Sequence, residues 1–177
     1  MEKCFKKIPV IIAAVILLAG CRENKNGLLF NAVSLPDQVV KNFSLDKYSL
    51  AGRQWNFQSL RANVYEKRGK IDAVAVKMKF FENGAASSVI SADKAVMDTN
   101  SGDVKAEGGV VMFSLLKNTT LYADSMLFNS KTGRISSDSP VRQEKEDLVI
   151  TGTGLEAASD LSETTILRDV KVVSKIS

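Results

Sequence analysis

What constrains this chain most is a motif that returns roughly every 30 residues. In each copy an apolar residue stands two places before a small one: Leu60-Arg61-Ala62, Ile90-Ser91-Ala92, Leu121-Tyr122-Ala123 and Ile150-Thr151-Gly152. Each copy then breaks at a polar stretch, residues 66–70, 100–103, 130–134 and 159–163. A second alternating run closes the unit, at 71–76, 104–110, 135–141 and 166–172. Apolar and polar residues alternate at a period of two, the spacing of half-buried strands. The first three breaks contain Gly69, Gly102 and Gly133, which suit the positive φ of tight hairpins. The fourth has no glycine and predicts a longer loop. No stretch shows sustained helical periodicity with a cap; at most a short helix is expected before Phe43.

A hairpin cannot bury its apolar face alone, so successive units must stack. The expected fold is all-β: an open antiparallel β-jelly roll or sandwich, two sheets built from repeated β-hairpin units around a shared apolar interior. Pro140 belongs at an edge or a bulge. Gly108-Gly109 and Gly152-Thr153-Gly154 mark bulges or close backbone approach.

The N-terminus points to export. Lys3, Lys6 and Lys7 form a basic stub, and residues 8–19 form an apolar run broken only by Pro9. That run is shorter than the roughly 20 residues a spanning helix needs, and fits the core of a signal peptide. It ends Leu18-Ala19-Gly20-Cys21, which resembles the bacterial lipobox. The small Ala19 and Gly20 fit a narrow peptidase cleft, and the Cys21 thiol can carry a diacylglyceryl thioether. The expected organisation is a lipoprotein signal peptide over 1–20, a lipidated tether over 21–42 and a β domain over 43–177. Removing 1–20 lowers the net charge from +4 to +2, and no clustered basic face suggests a nucleic-acid partner. Cys4 leaves with the signal and Cys21 is the expected lipidation site, so the domain keeps no pair for a disulfide.

The sequence contains no histidine. That removes the commonest general base and the commonest transition-metal ligand. The acidic residues are scattered beside turns and on alternating strand positions, as solvated faces would place them. No enzyme, cofactor or metal is expected.

The repeat resembles the OstA-like β-jelly-roll superfamily and, within it, the LptC family. The segment Leu50-Ala51-Gly52-Arg53-Gln54-Trp55 looks like the family's Gly-then-Trp start. Ile90 to Ala95, then Gly102 and Gly108-Gly109-Val110, look like its alanine-led strand, glycine turn and Gly-Val strand. Leu121-Tyr122-Ala123-Asp124 with Ile135 to Val141 is the most family-like stretch, and Gly152-Thr153-Gly154-Leu155 resembles its Gly-x-Gly-Leu strand. The resemblance implies a periplasmic, membrane-anchored component that receives lipopolysaccharide from the permeases of an inner-membrane ABC transporter. It would pass the lipid to a soluble, periplasmic LptA-like bridge protein. The anchor departs from enteric members, which keep a transmembrane helix. Arg22 follows the cysteine where an inner-membrane lipoprotein usually has Asp, so the residues leave the membrane open and the family role implies the inner one.

The resemblance also implies a lipid groove between the sheets. Strand parity places Leu121, Ala123 and Leu127 on one side, and Tyr122, Met126 and Phe128 on the other. Met97, Val110, Met112, Met126, Phe128, Leu155 and Val170 are the candidates for its lining, and each is equally an ordinary core position. Arg142, Lys145 and Lys171 either meet lipid phosphates or are simply solvated. Trp55 is a core or rim anchor. A second function remains open: a scaffold or adaptor lipoprotein that uses the jelly roll only for protein docking.

Overall fold

A computed structural model describes residues 35–174. Cys21, the signal peptide and most of the tether lie outside the described residues. Nine strands follow one another: β1 Gln38–Ser49, β2 Gly52–Tyr65, β3 Lys70–Glu82, β4 Ala85–Asp98, β5 Val104–Ser114, β6 Thr119–Asn129, β7 Arg134–Lys145, β8 Leu148–Ala158 and β9 Thr164–Ser174. They pair antiparallel in sequence order in one sheet, with β1 and β9 at its edges. The first strand lies where a short helix was expected, and the sheet starts at Gln38, ahead of the expected domain start at 43. Among the described residues the one turn of 3-10 helix, Glu66–Arg68, is confined to the β2–β3 connection.

The two expected layers are halves of this single sheet. A row of irregularities crosses its middle: Ser91/Lys94 in β4, Glu107/Val110 in β5, Ala123/Leu127 in β6, Ser137/Pro140 in β7 and Thr151/Thr153 in β8. Asn42, Ala75 and Asp169 take positive φ on the same row in β1, β3 and β9. Bulges bend a strand and sharpen its twist, so a row of them creases the sheet. Both glycine pairs and Pro140 fall on this crease, as the sequence predicted. In β7 the Ser139 N–H donates to Ser137 Oγ at 3.2 Å, a local bond beside a proline that has no N–H for the ladder.

The crease also shifts side-chain parity. In β6 the buried apolar residues are Leu121 and Ala123 before it, then Met126 and Phe128 after it, while Leu127 is 44% exposed. Strict alternation had put Leu127 with Leu121 and Ala123; the bulge turns it to the outside. In β4 the switch runs from Ile90 and Ala92 to Ala95 and Met97.

Cross-strand ladders make up each layer. Above the crease run Ile71, Met97, Val104, Phe128, Ile135 and Ala157, each directly opposite the next. Beside them Ala62, Ala73, Ala95 and Ala106 form a small-residue ladder. Of the motif's small residues only Ala62 belongs to this ladder; Ala92 and Ala123 lie on the other side of the crease, beside Val76 and Val110. Below the crease run Phe57, Met78, Ile90, Met112 and Leu121. All these residues are buried, and each large one contributes roughly 1.5–3 kcal/mol by leaving water.

Contacts between distant strands show the layers meeting. The rings of Phe80 in β3 and Phe128 in β6 pack edge to face with centroids 4.9 Å apart. The β8–β9 loop reaches back across the interior: Ser88 Oγ donates to the Ser159 carbonyl, and Ser114 Oγ donates to the Asp160 carbonyl at 2.6 Å. Leu161 in this loop is buried, with φ of 60°. The expected longer loop is no longer than the break after β4, because Leu161 takes the left-handed conformation glycine supplies elsewhere.

Candidate functional site

Met97, Val110, Met112, Met126, Phe128 and Leu155 all come together in one apolar interior, none more than 4% exposed. Val170 does not join them. It is 52% exposed, because it follows the Asp169 irregularity on an edge strand that no facing layer covers. Trp55 is 4% exposed and belongs to the core.

The interior between the layers is filled. Its enclosed space, among Phe57, Met78, Ile90, Met126, Phe128 and their neighbours, is about 10 Å³, no more than a single water needs. Fatty tails therefore fit only if the layers part. Towards β9, however, the inner face runs out into solvent. The buried ladder of Phe57, Met78, Ile90, Met112 and Leu121 continues through Gln143 and Ile150 to Val172. Gln143 and Ile150 are half-buried, and Val172 is 60% exposed. Both edge strands, β1 and β9, keep one backbone side unpaired among the described residues. Neither edge is short or flat polar: Val39 and Tyr48 on β1 and Val172 and Val173 on β9 are exposed apolar residues.

Two open cavities flank this interior. One, of about 600 Å³, lies along the crease from β5 to β9 and is lined by Val111, Tyr122, Arg142, Thr151, Asp169 and Lys171, among others. Arg142 stacks over Tyr122 at 5.4 Å and pairs with Glu144, so it is engaged within the sheet; Lys171 lines the same groove two strands away, across Thr151. The other, of about 450 Å³, opens at the mouth between the layers. The β1–β2 and β3–β4 turns form one lip and the β6–β7 turn the other. Trp55, Phe80 and Phe128 lie inside, with Arg53 and Lys131 among its lining. Sequence reasoning missed this mouth. Its lips are turns far apart in the chain, and only the crease brings them together.

Electrostatics is local. The Asp98 carboxylate, fully exposed, is held below the ordinary aspartate value of 3.8, chiefly by the Ser101 N–H and then the Asn100 N–H donating to it. For Asp160 burial acts upward. The N–H and hydroxyl of Ser162, its own backbone and Lys117 together outweigh that, so its carboxyl ends below the ordinary value.

The geometry defines an OstA-like jelly roll: a creased, open antiparallel sheet with free edges and an apolar interior. The chain matches the family described as lipopolysaccharide-assembly, LptC-related over residues 10–175, and it belongs to that family. It is thus a non-enzymatic periplasmic component of the lipopolysaccharide transport machinery. Its fold is similar to that of LptH from Pseudomonas aeruginosa, the LptA homologous periplasmic component of the lipopolysaccharide transport device. The TM-score is 0.54 at 13% identity, covering 67% of this chain and 93% of LptH. No curated protein sequence matches the chain significantly.

Proposed function

We propose that this protein binds lipopolysaccharide and hands it on, taking it from the permeases of an inner-membrane ABC transporter and delivering it to a soluble LptA-like bridge. The observation that carries this reading is the inner face that continues past the closed core to the β9 edge, apolar but for Gln143, through Ile150 and Val172. A second jelly roll adding a strand at a free edge would extend that face into its own interior, so main-chain hydrogen bonds would join the modules and apolar side chains would line the passage. The domain acts passively, and ATP hydrolysis in the transporter gives direction. Cys21 carries the lipid anchor, on the inner membrane. Met97, Val110, Met112, Met126, Phe128 and Leu155 line the slot once the layers separate, and flexible methionines suit a surface that must repack.

The filled interior favours one other reading, a scaffold that docks proteins by its edges and never opens. A photo-crosslinking residue at Met126 or Leu155 separates the two in cells. Lipopolysaccharide adducts are expected; protein adducts alone would establish the scaffold. Depletion of the protein should also leave lipopolysaccharide stalled at the inner membrane.

A further inference from the structure

The mouth cavity is rich in hydrogen-bond donors and leaves one of them unused. Trp55 lines it, and the indole Nε1–H is buried with no acceptor. A buried indole N–H ordinarily finds a partner, so an orphaned one points to a missing acceptor. The benzo edge next to that nitrogen packs by Gly102, where a Cβ would stand 3.6 Å from Trp55 Cζ2 and 2.9 Å from Ser130 Oγ. The nitrogen side of the indole thus lies towards the β6–β7 turn, whose Ser130 and Lys131 form the opposite lip.

The rim is cationic. Arg53 sits with its guanidinium 4.5 Å from the Phe81 ring centroid and keeps only a loose 3.6 Å contact with Asp46. A guanidinium has five N–H donors, so most remain free for a ligand. Lys131 makes no ion pair among the described residues. Glu82 is the one acidic group in the lining. Beneath this rim Phe80 and Phe128 form an aromatic floor, and behind them lie Phe57, Met78 and Met126. Charge, aromatic surface and apolar core follow one another over a single path.

We propose that this mouth holds the phosphate monoester head of a phosphorylated amphiphile. Arg53 and Lys131 bind its anionic oxygens, and the Trp55 Nε1–H donates to one of them. The first carbons of the tail rest on Phe80 and Phe128. This assignment rests on the lipid-handling reading above and adds to it which chemical group is gripped, and where.

Trp55 is the only tryptophan, so the full chain in zwitterionic nanodiscs gives a single indole N–H resonance. Short-chain phosphatidic acid, a matched phosphocholine lipid and inorganic phosphate are titrated below any micelle concentration. The phosphatidic acid should move that resonance downfield and saturate, while the other two need at least about tenfold more. Arg53→Gln combined with Lys131→Gln should weaken the phosphatidic acid about tenfold and leave the free protein's resonance in place, which shows the fold intact. An unmoved resonance, equal affinity for phosphate or for the choline lipid, or an unaffected double variant each overturns the proposal. Lipopolysaccharide adducts at Met126 with an unmoved indole would remove the mouth site alone. A shifted indole with no such adducts would remove the transfer reading instead.

Discussion

At the scale of single residues, the turns are held by short polar side chains that close on their own backbone. Asp98 is the plainest case: its Oδ1 accepts from the N–H groups of Asn100 at 2.8 Å and Ser101 at 2.9 Å, fixing the connection into β5. Those donors favour the charged carboxylate, so its folded value lies below 3.8. A depressed carboxyl stabilises the fold above its unfolded value, and that contribution disappears as pH falls through the folded one. Asp98→Ala should therefore melt earlier than the parent at neutral pH. The gap should shrink below about pH 4, where the unfolded carboxyl begins to take up its proton. Thermal melts of both proteins across that range check this, and a gap that stays constant down to the acid limit would refute the charge argument. Asn129 repeats the device, accepting from Lys131 and Thr132, which is why the breaks are rich in Asp, Asn, Ser and Thr.

At the scale of strands, the crease does more than any turn to shape the molecule. Gly152 shows how tightly it is built. A Cβ there would meet Ile166 Cγ2 at 2.5 Å and the Arg168 carbonyl oxygen at 2.7 Å. The side chain can move, but the backbone of β9 would have to shift. Gly152→Ala should cost about 1–3 kcal/mol, and the loss should concentrate in β9, whose amides would exchange faster than those of β4 and β5. Uniform loss of protection across the sheet would show that β9 is not the strand displaced. The repeat made the four hairpins of β2–β3, β4–β5, β6–β7 and β8–β9 legible, because alternation and polar breaks are local signals. It also flagged the crease through Gly108-Gly109, Pro140 and Gly152. What it did not yield is the phase change. A bulge moves Leu127 outward and Met126 inward without changing composition, so parity counted across it goes wrong. The opposite-end turns are legible in part: Asn83-Gly84 is a strong hairpin signal, whereas Glu146 takes positive φ with nothing in its chemistry to announce it. Strand β1 was hidden because it lies ahead of the first copy of the repeat and buries little: only Val40 and Phe43 are partly buried, and Phe43 packs on Phe57.

At the scale of the whole molecule, the proposed passage of a lipid through this domain meets one obstacle, the filled interior. The two layers are continuous at the crease, so they can part only where non-covalent contacts hold them. The β8–β9 loop supplies such contacts: the bonds from Ser88 and Ser114 to its carbonyls, and the buried side chain of Leu161. Leu161 holds φ of 60°, which disfavours a leucine and suits a glycine. Leu161→Gly removes the plug and relieves the backbone at the same position. Loss of the buried side chain, typically about 2–5 kcal/mol for a leucine truncation, is then partly offset by the relaxed φ. The variant should stay folded yet less stable by denaturant titration, and it should take up a fluorescent lipid faster than the parent in stopped-flow mixing. A slower or unchanged rate alongside the lower stability would show that this loop is a structural latch only, and that the layers separate elsewhere, from the β9 edge inward. The two outcomes also set the direction of travel. Opening at the loop admits lipid across the flank of the sheet, whereas opening from β9 admits it only when a neighbouring module is already docked.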